Sequence, residues 1–191
     1  ARFRERFYRQ PGSIYMDGNS LGLLSMDAEA ALQRAVEQWK NLAIDGWLRA
    51  DPPWFYLGEE LGRRQAALVG AAPDELVATG TITVNLHALV ATFYEPLGAR
   101  RKILIGELDF PSDVYALQAQ IALRGGDPAR DLVKAPSRDG RVIEEDDLIE
   151  AMTDEVALVL LPSVLYRSGQ LFDMPRLTAY AHASGIPICF Y

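Results

Sequence analysis

Apolar residues recur early in the chain at helical spacing. After Ser25 they fall at Ala28, Leu32, Ala35, Val36, Trp39, Leu42 and Ala43, until Gly46 interrupts the pattern. This predicts an amphipathic helix, and Leu57, Leu61 and Leu68 predict a second over 55–69. From Glu75 the pattern becomes short apolar run, loop, helix. The runs are 76–78, Lys102–Gly106, Leu132–Ala135, Val156–Leu161 and 186–190, with helical spacing over 84–94, 113–123, 145–152 and 175–183. Residues 156–161 read VALVLL, without alternation, as expected of a strand covered on both faces of a parallel sheet. The expected fold class is therefore α/β. It has a mostly parallel sheet with helices on both faces, preceded by an N-terminal helical segment. The expected division is 1–70 for that segment, with its two helices, and 71–191 for the sheet.

Composition narrows the picture. With 191 residues, 49% apolar and 24% charged, the chain has the size and balance of one globular unit. A formal charge of -7 disfavours a chain whose main task is to neutralise nucleic-acid phosphates or to bind anionic lipid. Small molecules or proteins are the expected partners, with no nucleic acid and no membrane. Cys189 is alone, so it has no intramolecular disulfide partner, and no apolar run is long enough to span a bilayer. The first ten residues hold four arginines and no apolar core, unlike a secretory signal, so the expected location is the cytoplasm; an alanine at position 1 reads as trimming.

In a parallel α/β sheet ligands bind outside the carboxyl ends of the strands, so the loops there are the places to search. The first reads Thr79, Gly80, Thr81, Ile82, Thr83 and opens a helix. Free backbone N–H groups at such a helix start suit a phosphate, but spacing alone favours ordinary capping by Thr81 or Thr83, which any βα turn may have. It fits neither a P-loop nor a GxGxxG turn. The second, Glu107 to Asp113, places Phe110 beside Pro111, Ser112 and Asp113. Phe110 can stack on a flat ligand, or it can be core while Ser112 or Asp113 caps the helix. The loop from Pro162 to Gln170, including Ser163, is longer than such a connection needs. His87 and His182 lack metal-ligand spacing, so no metal is expected, and no nucleophilic-serine triad can be drawn.

Five segments in order resemble kynureninase, a pyridoxal-phosphate enzyme of the aspartate-aminotransferase fold (fold type I). They are YMDGNSLG at 15–22, Gly46-Trp47 with Pro53-Trp54, TVNLH at 83–87, FPSD at 110–113 and SGQ at 168–170. The resemblance covers nearly all of these residues but only about the first half of such an enzyme. It implies the first part of the cofactor-binding large domain, pyridoxal 5'-phosphate as cofactor, and hydrolysis of kynurenine to anthranilate and alanine by a homodimer. Carried over position by position, Ile82 and Thr83 would hold the phosphate and Phe110 would stack on the pyridine ring. Pro111, Ser112, Asp113 and Ser163 would line the same pocket. Asn19, Ser20 and Trp47 would face the substrate, Trp47 resembling the bacterial type that favours unsubstituted kynurenine.

Two departures stand against the match. Where the family places an aspartate on the pyridine nitrogen, this chain has Tyr191, and the family's Schiff-base lysine has no counterpart among these residues. Lys40, Lys102 and Lys134 are the only lysines, and their places, in the first helix, at the opening of a strand and inside another, put each away from the carboxyl edge or too far along the chain to serve. The expectation is a fragment of a kynureninase, inactive alone. The alternatives are a short paralogue serving as a binding module and another aminotransferase-fold lyase.

Overall fold

The computed structural model describes residues 2–191, in two compact units where composition suggests one. The first runs to Thr79 and the second is Gly80–Tyr191, so the division falls later than residue 70.

In the first unit α1 spans Met26–Leu42, and the Ser25 hydroxyl caps it, accepting from the Ala28 N–H at 3.1 Å. A single turn, α2 (Gly46–Arg49), follows, and then α3 (Leu57–Val69), which ends on Gly70 in the left-handed conformation at φ +71°. Residues 76–78 are not a strand. They run along α3 instead, with the Ala78 N–H donating to the Gly58 carbonyl at 3.1 Å. Gly58 and Gly62, one turn apart, open the helix surface, so that the Leu76 carbonyl lies where a side chain on Gly62 would begin. A helix groove thus takes up the short apolar run that was expected to pair in the sheet.

The second unit holds α4 (Ile82–Phe93), β1 (Lys102–Gly106), α5 (Pro111–Leu123), α6 (Pro128–Asp131), β2 (Leu132–Ala135), α7 (Glu145–Ala151), β3 (Val156–Leu161), α8 (Met174–Ala183) and β4 (Ile188–Phe190). The sheet has four strands rather than five, all parallel, in the order β2-β1-β3-β4. The apolar strands alternate between two cores, as the two-residue side-chain period requires. Leu104, Val159 and Leu161 pack on Leu148 and Leu177 from α7 and α8. Ile103, Ile105, Leu158 and Leu160 pack on Leu86, Val90, Leu117 and Ile121 from α4 and α5. All six residues of β3 are buried, which explains its unbroken hydrophobicity.

Charge collects at the amino ends. The fully buried Asp131 carboxylate is held near 2, first by the Arg130 guanidinium, and it also accepts from the Asp127 N–H. Lys102 pairs with Glu155 at 2.6 Å. Arg124 donates to the Ala91 and Tyr94 carbonyls at the end of α4, tying that end to the end of α5.

The Gly62 contact is testable. A methyl there meets backbone, which cannot rotate aside, so Gly62→Ala is expected to cost about 1–3 kcal/mol despite the better helix propensity of alanine. Gly18→Ala, where nothing lies within 4 Å, is the control. Urea unfolding of the two variants and the parent measures the difference, and equal midpoints for Gly62→Ala and the parent would remove the contact from the account.

Candidate active site

The helix after β1 covers one face of the sheet and the helix after β3 covers the other, although β1 and β3 are neighbours. Their exits therefore diverge and open a crevice at the carboxyl edge, the usual ligand position in such a sheet. Four of the expected site residues come from the β1 exit. Phe110 ends the loop, Pro111 is the first residue of α5, and the Asp113 N–H donates to the Phe110 carbonyl at 3.0 Å. Neither Ser112 nor Asp113 caps α5, contrary to one of the two readings. Instead the Ser112 hydroxyl donates to Asp113 Oδ1 at 3.2 Å, and Asp113 is buried. Phe110 is not core either, since 47% of it is exposed.

Ser163 follows β3, its N–H donating to the Tyr191 carbonyl at 2.8 Å, while the Tyr191 N–H donates to Leu161 at 3.1 Å. These bonds continue the pairing of β3 with β4 and carry the Tyr191 side chain into the same buried region. Its hydroxyl lies near Asp113 but has no hydrogen-bond partner of normal geometry. Burial, and then the negative charges of Asp109 and Asp113, push the phenol far above its usual range, so it is neutral.

Ile82 and Thr83 form the first turn of α4, where the Thr81 hydroxyl accepts from the Val84 N–H at 3.4 Å. The cap is thus Thr81, and the Thr83 side chain is not spent on it. Because α4 and α5 end together at Arg124, and α5 starts at the carboxyl end of β1, both helices start on the carboxyl side of the sheet. Thr83 and Phe110 to Asp113 therefore share that side.

Asn19, Ser20 and Trp47 belong to the first unit. Asn19 and Ser20 sit in an exposed turn, with the Ser20 N–H donating to the Asp17 carbonyl at 3.2 Å. Trp47 lies on α2, edge-on to Trp54 with ring centroids 6.5 Å apart. The Trp54 ring occupies the space beside Gly46, so a side chain there would displace the pair.

Three residues of the site escaped the sequence reading as individuals. Asp109 folds back so that Oδ2 accepts from the Gly106 N–H at 3.2 Å, a turn that an Asp three residues past a strand can signal. Its Oδ1 is buried without a partner. Tyr166, in the long loop after β3, stands edge-on to Phe110 at 5.0 Å. Gln170, in the same loop, accepts from the Ile143 N–H at 2.9 Å and donates to the Ile143 carbonyl at 2.7 Å. The length of that loop was the signal for both.

One lysine is placed differently from expectation. Lys102 lies at the amino end of β1 and Lys40 pairs with Glu37 on α1, but Lys134 stands one residue from the carboxyl end of the outer strand β2, where its charge reaches Asp109. Among the described residues no helix is long and apolar enough to cross a membrane.

No family model matches the chain. It is 58% identical over 188 residues to the kynureninase of Bacillus anthracis, 57% over 188 residues to that of Geobacillus thermodenitrificans and 52% over 190 residues to that of Shouchella clausii. The resemblance to kynureninase holds along almost the whole chain. The three alignments take in 98%, 98% and 100% of it, while the chain spans about 44% of the length of each of these kynureninases.

Among solved structures, a mutant of C-DES with glycine covalently linked to its PLP cofactor aligns with 98% of this chain and 48% of that one. The TM-score is 0.73 at 16% identity. The Escherichia coli cysteine desulfurase CsdA aligns with 99% of this chain and 47% of that one, with a TM-score of 0.68 at 19% identity. At these identities the likeness is one of fold, and it supports the expected aminotransferase-type large domain.

The Asp109 carboxyl gives a pH test. Burial lifts it from 3.8 to about 7, against the pull of the Gly106 N–H. Between those values the folded chain keeps a proton that the unfolded chain has lost, so stability falls as pH rises through this window. Asp109→Asn, neutral throughout, is expected to flatten that decline. Urea midpoints of parent and variant between pH 5 and 8 check it, and parallel curves would show that Asp109 does not titrate there.

Proposed function

We propose that this chain is the cofactor-cradling part of a kynureninase, an enzyme that uses pyridoxal phosphate and water to break the Cβ–Cγ bond of L-kynurenine, giving anthranilate and L-alanine. The observation that carries the reading is the convergence of Phe110, Asp113, Ser163 and Tyr191 on the carboxyl edge beside the β1–β3 divergence, in a chain 58% identical to a kynureninase. When bound, pyridoxal phosphate supplies an electron sink for the electron pair left as the substrate α-carbon loses its proton.

The residues fit that group at two of its three ends. Thr83 and the free N–H groups opening α4 suit the phosphate, since the Thr81 cap leaves the Thr83 hydroxyl available. The half-exposed ring of Phe110 offers a flat face to the pyridine. Pro111 stiffens the turn behind it, and Ser112 fixes the Asp113 carboxyl that borders the pocket. Tyr191 does not suit the ring nitrogen, because a phenol held neutral by burial offers no charge to a protonated pyridine. No role as pyridinium partner is assigned to it. Asn19, Ser20 and Trp47 are proposed to contact the substrate, in a homodimer of the complete enzyme acting in the cytoplasm.

Three experiments test this reading in the full-length protein. Anthranilate fluorescence should appear from L-kynurenine only when pyridoxal phosphate is supplied, and its absence with cofactor present rejects the proposal. Thr83→Ala should weaken cofactor binding about tenfold or more, as expected for a hydrogen bond of about 1.5–3 kcal/mol to a charged group. Equal cofactor titrations would remove Thr83 from the site. Trp47→His should change the ratio of kcat/KM for kynurenine over its 3-hydroxy derivative, because a buried hydroxyl needs a partner. An unchanged ratio with both rates intact makes Trp47 structural. A chain of these 191 residues alone is proposed to release no anthranilate, and stoichiometric borohydride labelling of one lysine together with turnover would contradict that.

A further inference from the structure

Phe110 and Tyr166 form an aromatic pair that does not belong to either core. Their ring centroids are 5.0 Å apart at an interplanar angle of 72°, and the residues are 47% and 41% exposed. Neither packs into the two clusters that hold the sheet and its helices together. Yet the loop that carries Tyr166 is firmly built. Leu165, its neighbour, is buried in the core against α8, and the Leu165 N–H donates to the Gln170 carbonyl at 2.9 Å. The Gly169 N–H returns to the Leu165 carbonyl at 2.9 Å, a closure that uses the left-handed backbone of Gly169 at φ +73°. Val164 pairs with Leu171, and the Gln170 carboxamide grips both backbone groups of Ile143. The Tyr166 ring also lies beneath the Arg167 guanidinium, 5.4 Å from the ring centroid.

A loop of this length, fixed by a buried leucine and a two-point amide clamp, holds one ring against another at the carboxyl edge. We propose that Tyr166 is a positioning residue, whose ring edge sets the tilt of Phe110 against the pyridine face of the cofactor. The proposal rests on the cofactor reading above and goes beyond it by naming the residue that orients the stacking ring. Tyr166 touches no reacting atom. It acts through Phe110, and Gln170 acts through Tyr166 by holding the loop.

The physical basis is the aromatic quadrupole. An edge-to-face neighbour restricts the torsion of Phe110, so less freedom is lost when a flat ligand stacks on it. An interaction of this kind corresponds to about a two- to twelvefold change in dissociation constant.

The test uses the full-length protein freed of cofactor and titrated with pyridoxal phosphate, in the parent, Tyr166→Leu and Tyr166→Phe. Two properties are read, the dissociation constant and the visible circular dichroism of the bound cofactor, which reports its tilt in the site. Tyr166→Leu should raise the dissociation constant about two- to twelvefold and change the dichroism. Tyr166→Phe, which keeps the ring edge, should restore both. The urea midpoint of the cofactor-free protein should be the same in all three, because both rings lie outside the core. Parental affinity and dichroism in Tyr166→Leu overturn the proposal, as does a Tyr166→Phe protein that behaves like Tyr166→Leu. A fall in the cofactor-free midpoint that tracks the loss of affinity makes Tyr166 a stability residue and also overturns it. A parent that takes up no pyridoxal phosphate rejects the cofactor reading itself, and this proposal with it.

Discussion

Parallel pairing is the constraint on which the second unit depends. Four strands running one way place every amino end on one edge and every carboxyl end on the other. The two edges then develop different chemistry. At the amino ends, charges are paired at the rim: Lys102 with Glu155, Arg130 with Asp131, and Arg100 donating to the Ser184 and Gly185 carbonyls at the end of α8. At the carboxyl ends the loops from β1, β3 and β4 bring together Asp109, Asp113, Phe110, Ser163 and Tyr191. Here the polar groups are buried with few partners. Strand β3 makes the separation possible, because its six buried residues feed both cores while its backbone pairs with β1 and β4.

The crevice follows from the order of the strands. The connection through α5 carries the chain outward from β1 to β2, and the next connection returns it past β1 to β3. After that it continues outward to β4. Between β1 and β3 the exits turn to opposite faces, and Phe110 and Tyr166 come from those two exits. Gly106 shows how tightly the place is built. A side chain there would begin 2.5 Å from the Ile143 Cδ1 and 2.6 Å from the Asp109 carboxylate. The same Ile143 is gripped by Gln170, so the β1 exit and the β3 loop share one support.

Most of this arrangement was legible in the sequence where a single physical rule governs the residues. Apolar runs marked β1, β2 and β3, unbroken in β3, and helical spacing after Ser25 marked α1. The expected strand at 76–78 failed because pattern alone does not say what an apolar run packs against. Its partner is α3, and the signal lay in Gly58 and Gly62, four residues apart on a helix, a spacing that opens a groove only once the helix exists. Thr81 rather than Thr83 caps α4, a distinction of two residues that spacing left open. Tyr166 and Gln170 were hidden for a different reason. Their contacts, to Phe110 and Ile143, join residues 56 and 27 positions apart, and no local rule connects them.

Unsatisfied polar atoms give the carboxyl edge its direction. Among the described residues three buried side-chain atoms lack a hydrogen-bond partner: Arg101 Nε, Asp109 Oδ1 and Tyr191 Oη. Arg101 is compensated by charge, since Nε lies 3.3 Å from the buried Asp131 carboxylate. The other two belong to the same carboxyl edge. Burial drives the Tyr191 phenol and the Asp109 carboxyl towards their protonated forms, with the Asp113 carboxyl beside the phenol. A fold selected only for stability would place apolar groups there, as it does throughout β3. Two buried polar groups short of protein partners thus lie together at the carboxyl edge, where the proposed pocket opens.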